Sequence, residues 1–328
     1  MLIEVALTPH VFDGATNADV PSWRDCLDEL GHGFFPRNAA SPVVAADLQE
    51  GGWMEEVRQT VGRIQDQATR WKVQGLADRF HDIVVPRPNV NIWPTDEREW
   101  ADEAAASHRI EPVGRIVLSD GLHNDGYASN GAPCCPLANV SDEAFWSGIE
   151  NSPQVPMNIR DQVALLRPIC VHAHYVILKL PHVGGLSNDE TPFAAAVLRS
   201  VFDRPQGFPP VEVELHIDGD GLIGTALTNV VHNIKQELAA VVPAGKEVLL
   251  CVWPHFINRR LIAGVVTTSA GQPVRAPRWG VRFEHVALPR DQRPPAAWSL
   301  IPRHSLAEVS DELDAGDPAI THNETLRF

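Results

Sequence analysis

Strand-like and helix-like segments alternate along the second half of the chain, and this alternation constrains the fold more than any other feature. Apolar runs of strand length recur, and amphipathic segments of helix length separate them. Such alternation is typical of a mainly parallel sheet with helices on its faces. The predicted elements are, in order, helix 159–173, strand 175–180, helix 192–202, strand 211–217, helix 222–242, and strands 247–253, 260–267 and 280–288.

The first half shows a weaker version of the same pattern. Its predicted elements are strand 2–8, helix 19–30, one helical segment over 53–80, an extended segment 83–85, helix 97–108 and strand 113–119. Residues 121–158 are rich in Gly, Pro, Asn and Ser, which are typical of loops. We therefore predict an α/β fold of two α/β units, with mainly parallel mixed sheets flanked by helices. The predicted boundaries are an acidic α/β domain at 1–125, a loop-rich linker at 126–158 and a second α/β domain at 159–328.

Composition narrows the cellular setting. A chain of 328 residues is long enough for two domains. It has no apolar run of about eighteen residues, so we expect no membrane-spanning helix. Its start lacks the basic region and long apolar stretch of a secretory signal, and its five cysteines are thinly spread. These features predict a cytoplasmic protein with no membrane partner.

Charge is distributed unevenly along the chain. The net charge is −15, which argues against a protein that coats nucleic acid indiscriminately. Residues 1–150 carry 24 acidic and 11 basic residues, whereas residues 151–328 carry 18 and 16. The segment 256–303 is locally basic, with eight arginines against Glu284 and Asp291. It is either a phosphate-binding surface, since guanidinium groups suit phosphate oxygens, or a solvated face paired with the acidic half.

A glycine-rich turn follows one predicted strand and opens a predicted helix. It reads Gly219-Asp-Gly-Leu-Ile-Gly224, the pattern and placement of a dinucleotide-binding turn. Such a turn lets the backbone approach a pyrophosphate at a helix N-terminus. The next strand does not end in the acidic residue that would bind the ribose, and Asp220 would face the phosphates. Dinucleotide binding therefore stands beside the alternative of a tight structural turn.

Acidic residues of the first half suggest a second chemistry. Asp13, Asp102 and Asp120 lie near strand ends or on a helix, and clustered carboxylates can hold Mg²⁺ or Mn²⁺ for phosphodiester cleavage. The order of these segments resembles a PIN-type nuclease: an early strand, a helix with Trp100-Ala-Asp-Glu, and the strand end Ile116-Val-Leu-Ser-Asp120. Leu7-Thr-Pro stands where that family has its first acid. The resemblance implies a degenerate PIN-like domain, or a metal-dependent nuclease that uses the remaining acids.

Three stretches between residues 160 and 290 carry a stronger resemblance. They are the helix and strand Leu165–Pro181, the strand Val211–His216, and the pair formed by Ile257-Asn-Arg-Arg-Leu-Ile-Ala and Gly280-Val-Arg-Phe-Glu-His285. Together they resemble a divergent phospholipase D-like domain of bacterial defence-associated proteins. The resemblance implies an α/β domain that binds phosphate, and it assigns phosphate contacts to Asn258, Arg259, Arg260 and Arg282.

The resemblance stops at the catalytic residues. Active members attack phosphodiesters with a histidine in an H-x-K pattern, and neither H-x-K nor H-x-R occurs in this chain. Ile257 stands at the position of the family histidine. His255 and His285 remain as weak catalytic candidates, because phosphoryl transfer needs a nucleophile and a charge clamp in register. We therefore expect a degenerate domain without a cofactor.

The sequence leads to three hypotheses of function. The first is a pseudoenzyme: a non-catalytic scaffold or phosphate- and nucleic-acid-sensing subunit of a bacterial anti-phage defence or nucleic-acid-handling complex, with a protein partner and a nucleic acid as candidate ligands. The second is the metal-dependent nuclease of the N-terminal acids, with Mg²⁺ or Mn²⁺ as cofactor. The third is a dinucleotide-binding protein that uses the turn at Gly219–Gly224.

Overall fold

The structure, a computed structural model, describes residues 3–17, 23–36, 43–49, 51–81, 83–87, 93–129, 131–146, 155, 158–184, 190–256, 258–269, 271–284, 286 and 298–328. The chain divides into two compact units. The first unit holds Leu2–Glu150 with Pro205–Phe208, and the second holds Asn151–Arg204 and Pro209–Phe328 with Met1. Each contains one sheet flanked by helices, so the predicted α/β class is confirmed.

The first unit is built on a parallel sheet. Its described elements are β1 (Ile3–Leu7), α1 (Trp23–Phe34), β2 (Val43–Asp47), α2 (Gly52–Gly62), α3 (Gln67–Phe80), β3 (Val84–Pro86), α4 (Glu97–Ile110), β4 (Arg115–Leu118), α5 (Asp120–Asn124), β5 (Cys134–Pro136) and α6 (Glu143–Trp146). The strand order is β3-β2-β1-β4-β5, and every described pairing is parallel. Parallel strands need covered faces, and β1 and β2 are accordingly almost wholly buried.

The predicted helical segment 53–80 is two helices. The side chain of Asp66 accepts a hydrogen bond from the backbone N–H of Thr69 and so caps the start of α3. An N-cap requires non-helical backbone at the capping residue, which interrupts the helix between Gly62 and Gln67. Both helices bury aromatic side chains in the core, where Trp53 and Phe80 meet edge to face at 5.8 Å.

The predicted linker 126–158 is not a linker over its first part. Strand β5 pairs with β4 through Ile116 and Cys134, so it belongs to the first sheet. The following 3-10 helix, Leu137–Ser141, buries Leu137 and Val140 in the core of that unit. The sequence pattern did not predict this short strand, because the prolines and small polar residues around it are typical of loops. The contact boundary between the units lies after Glu150.

The second unit contains a mixed sheet. Its described elements are α7 (Ile159–His172), β6 (Tyr175–Lys179), α8 (Thr191–Phe202), β7 (Glu212–Asp218), α9 (Gly224–Leu238), β8 (Glu247–Trp253), β9 (Arg259–Ser269), β10 (Gln272–Phe283), β11 (Trp298–Leu300), α10 (Arg303–Asp311) and β12 (His322–Arg327). The strand order is β11-β10-β9-β6-β7-β8-β12. Strands β6, β7 and β8 are parallel neighbours, as the alternation predicts, whereas β9 runs antiparallel to β6.

Different helices cover the two faces of this sheet. On one face, Phe193 of α8 packs against Phe283 and Trp298, at ring distances of 5.8 and 6.1 Å. On the other face, Leu306 and other side chains of α10 and its flanks join a cluster with residues of β6 and β9. We call this second side the α10 face. No described helix is long and apolar enough to cross a membrane.

Candidate functional site: a row of cations at a sheet edge

Three basic side chains lie side by side at one edge of the second sheet. Lys179 is the last residue of β6 and pairs with Arg260 of the neighbouring strand β9. Arg260 pairs in turn with Arg282 of β10. Directly paired residues of neighbouring strands share a face of the sheet, so all three side chains leave from the α10 face. We call Lys179, Arg260 and Arg282 the cation row. It lies at the carboxyl end of β6, and that end of parallel strands is where ligands bind in open α/β sheets.

Lys179 is the buried member of the cation row. Only 8% of its surface is exposed. Its Nζ lies 4.2 Å from the ring centroid of Phe256 and 5.1 Å from that of Trp253. Burial, and then the positive charge of Arg260, lower its pKa below the usual value, while Glu312 opposes the shift. The ammonium group therefore has aromatic neighbours, and no carboxylate among the described residues forms an ion pair with it.

The two arginines of the row differ in their partners. Arg260 donates to Glu312, which follows α10, at 2.7 Å. Arg282 is exposed and forms no ion pair within the described ranges. Asn258, a predicted phosphate ligand, is also exposed, just before β9. Among the described residues, one carboxylate, that of Glu312, forms an ion pair with a member of this row of three cations.

Arg259, another predicted phosphate ligand, does not belong to the cation row. Successive residues of a strand point to opposite faces, so Arg259 leaves from the face opposite to Arg260. There its guanidinium group is paired with Glu190, whose side chain is buried. The family resemblance assigned three consecutive residues to one site, but the pleat of β9 separates Arg259 from Arg260.

The structure describes one of the two catalytic candidates, His255. His255 is 65% exposed, and its Nδ1 lies 3.5 Å from Asp218 and 3.9 Å from Asp220. These distances exceed those of normal hydrogen bonds, so the imidazole is held only loosely. His285 lies outside the described residues. The catalytic role of His285 therefore stays a prediction of the sequence.

A buried polar network adjoins the cation row. Nε1 of Trp253 donates to Nδ1 of His216 at 2.9 Å, and the other ring nitrogen of His216 lies 3.1 Å from Glu214. The accepted bond leaves the proton on Nε2, which donates to Glu214. Burial opposes ionisation of Glu214, but His216 and Arg275 overcome it and lower its pKa. Trp253 also contacts Lys179. The hydrogen bond to His216 therefore holds in place an aromatic ring that packs beside the lysine.

Glu214, His216 and Cys251 form the group of described residues that comes closest to a metal site, with ligand atoms within 4.8 Å of one another. A metal would need a free lone pair on His216 and a deprotonated thiol. Both imidazole nitrogens are already engaged, as above. Burial, and then the charge of Glu214, raise the pKa of Cys251 to about 12. This arrangement fits a hydrogen-bonded core network rather than a metal centre.

The three predicted metal ligands of the first unit do not form a group of that kind. Asp13 accepts from the backbone of Ala15 at 2.9 Å, and Asp102 accepts from the hydroxyl of Tyr127 at 2.9 Å. Asp120 accepts from the backbone of residue 138, and burial raises its pKa. Each carboxylate thus has its own structural partner, and a nuclease centre made of these acids is not supported.

The glycine-rich turn has the predicted setting between β7 and α9, with positive φ at Gly221 and Gly224. Its electrostatics do not suit a pyrophosphate. The carboxylate of Asp218 accepts from the backbone N–H of Asp220, so it occupies a donor that a dinucleotide turn offers to phosphate. A Cβ at Gly219 would lie 2.3 Å from Val252, so this glycine is required for close packing.

Comparisons with known proteins give no family. No protein-family model matches the chain, and no curated protein matches it. Part of the chain is similar to the solved structure of TrmBL2, an archaeal chromatin protein described as showing a novel mode of DNA binding. That alignment has 9% identity, a TM-score of 0.26, and covers 51% of this chain and 52% of that one. The alignment therefore spans about half of each protein.

Proposed function

We propose that this chain is a non-catalytic phosphate-binding protein whose cation row receives a phosphorylated ligand. The observation that carries the proposal is the direct juxtaposition of Lys179, Arg260 and Arg282 on three neighbouring strands. Like charges placed directly opposite each other destabilise a sheet. A bound phosphate group relieves this repulsion and supplies acceptors to Lys179 and Arg282, which form no ion pair with any of the residues that the structure describes.

The chemistry of the row suits phosphate in particular. Arg282 presents a planar fork of donors to solvent, and such forks match phosphate oxygens. Asn258 adds an exposed amide at the start of the neighbouring strand. The buried ammonium of Lys179 supplies a positive charge in surroundings of low polarity, where attraction to an anion is stronger than in water.

The ligand that we favour is a small phosphorylated molecule or a terminal phosphate rather than a long duplex. Binding along a nucleic acid draws on many cations at once. This chain has a net charge of −15, and its row contains three cations. The wider role, as a scaffold in a bacterial defence complex, stays a prediction of the sequence.

The test is calorimetric titration of the full chain with pyrophosphate. Lys179→Gln and Arg282→Gln each remove a charge-assisted hydrogen bond, so we expect affinity to fall about tenfold or more. The matched controls are Lys246→Gln and Arg327→Gln. Lys246 precedes the amino end of β8, and Arg327 lies on β12. Both variants should bind pyrophosphate within twofold of the wild type. Absence of pyrophosphate binding, or equal losses in row and control variants, contradicts the proposal.

The non-catalytic part has its own test. His255, whose Nδ1 lies 3.5 Å from Asp218, is the catalytic candidate that the structure describes. We expect no hydrolysis of bis-p-nitrophenyl phosphate by the purified protein, and no difference between wild type and His255→Ala. Turnover that disappears in His255→Ala would show an enzyme and overturn this part, while the binding test remains decisive for the row.

A further inference from the structure

The first unit contains a groove that plays no part in the proposed phosphate site. It lies between α1 and α3 and has a volume of about 410 Å³. Its apolar lining includes Leu27, Phe35, Val73 and Leu76. Small-molecule sites typically have volumes of roughly 300–1,000 Å³ and mostly apolar walls with a few polar groups. The α1/α3 groove has the size and the lining of such a site.

Glycines on both helices keep the groove open. Gly31 of α1 and Gly75 of α3 both line it. A Cβ at Gly75 would meet nothing within 4 Å, and one at Gly31 would meet only Leu76, at 3.5 Å. Packing therefore does not require glycine at Gly75, although glycine in a helix interior is unfavourable. The open space is a property of the groove itself, and a larger side chain at residue 75 would fill it.

The polar lining of the groove is mainly cationic. Lys72 is paired with Asp28 at 2.6 Å, and Arg24 lies 3.6 Å from Asp66. Arg79 differs from both: its guanidinium carbon lies 3.9 Å from the ring centroid of Phe35, and it forms no ion pair with a carboxylate in the part of the chain that the structure describes. A guanidinium group stacked on an aromatic ring keeps its in-plane N–H donors available.

We propose that the α1/α3 groove binds a small amphipathic anion, with its apolar body against Leu27, Val73 and Leu76 and its carboxylate or sulfonate on Arg79. Charge complementarity selects the anion, because the basic lining includes Arg79, which has no acidic partner among the described residues. The groove and the fork together fit one compact ligand with an apolar end and a charged end. This site is independent of the cation row, so either proposal can fail without the other.

The test uses two fluorescent probes of similar shape, anilinonaphthalene sulfonate and the uncharged phenylnaphthylamine, titrated into the full chain. We expect saturable binding with the sulfonate bound at least about fivefold more tightly, since a charge-assisted bond contributes on the order of a factor of ten. Arg79→Gln should remove this preference. Its matched control, Arg58→Gln on α2, should keep it.

A second variant tests the place of binding. Gly75→Leu fills the groove and should abolish the binding of both probes, and octanoate should displace the sulfonate from the wild type. The matched control is Gly62→Leu, at another open helical glycine, which should bind as the wild type does. The proposal is overturned if the wild type shows no saturable binding, if Gly75→Leu binds normally, or if the sulfonate preference survives in Arg79→Gln. Arg79→Gln decides on its own if Gly75→Leu does not fold.

Discussion

Replacement of the buried lysine of the cation row should make the protein more stable while it removes the proposed function. Lys179→Met keeps a flexible apolar side chain between Trp253 and Phe256 and removes the ammonium group. In the folded protein that group is 8% exposed and faces the positive charge of Arg260. A site shaped for folding alone would not place a buried cation that has no ion-pair partner among the described residues beside another cation.

The magnitude follows from the burial of the ammonium group beside the rings of Trp253 and Phe256. A buried donor without an acceptor destabilises the folded state by about 1–3 kcal/mol. Loss of the cation–π contacts with Trp253 and Phe256 lowers the stability of the variant by roughly 0.5–1 kcal/mol and so offsets part of this gain. We therefore expect Lys179→Met to raise the free energy of unfolding by about 1 kcal/mol at pH 7, which corresponds to a rise in Tm of about 2–4 °C.

The stability difference between the wild type and Lys179→Met should also depend on pH. The lysine of the unfolded chain titrates near 10.5, and that of the folded protein titrates below it. Between these two values the unfolded chain binds more protons, so the stability of the wild type rises with pH across this window. The advantage of Lys179→Met should therefore be full below the folded pKa and shrink as pH approaches 10.5. Thermal unfolding at several pH values measures it, and a variant less stable than the wild type at pH 7 refutes the reasoning.

Three further outcomes are expected. Glu312→Gln releases Arg260, so calorimetry should show pyrophosphate binding about threefold or more tighter, with a stability change below about 1 kcal/mol because Glu312 is largely exposed. Trp253→Phe leaves Nδ1 of buried His216 without its donor, so urea unfolding should show a loss of about 1–3 kcal/mol. Zn²⁺ should leave Tm unchanged, because both nitrogens of His216 are engaged; a zinc-dependent rise would contradict that hydrogen-bond assignment.

The sequence predicts those parts of the fold that depend on local pattern. Strands β6, β7 and β8 and the helices between them were predicted from the alternation of apolar runs with amphipathic segments. Each apolar run is bounded by loops or a helix, so its extent can be recognised. Strand β2 is buried at all five positions, so its sequence lacks the apolar–polar alternation that marks a half-buried strand. Periodicity alone therefore does not identify it as a strand. The break between α2 and α3 depends on Asp66, whose role as an N-cap shows only in its bond to Thr69.

The candidate site was only partly predictable, because its members meet through strand pairing. Arg260 and Arg282 were predicted from the family resemblance. Lys179 was missed, although a lysine that ends an otherwise apolar strand is a signal in a chain with four lysines. What places it in the row is the antiparallel return of β9 beside β6, and no local pattern encodes that register. The resemblance grouped Arg259 with Arg260, whereas the alternation of side chains along β9 places the two on opposite faces of the sheet.

The most direct measurement is the pKa of Lys179 itself with and without a phosphate ligand. The nitrogen resonance of its ammonium group, titrated by NMR in selectively labelled protein, reports this value, and Lys179→Met assigns the signal. We expect a pKa below the ordinary lysine value in the free protein and a clear rise on saturation with pyrophosphate, since a bound anion favours the protonated form. An identical titration curve in the presence and absence of pyrophosphate would contradict the proposed function of the cation row.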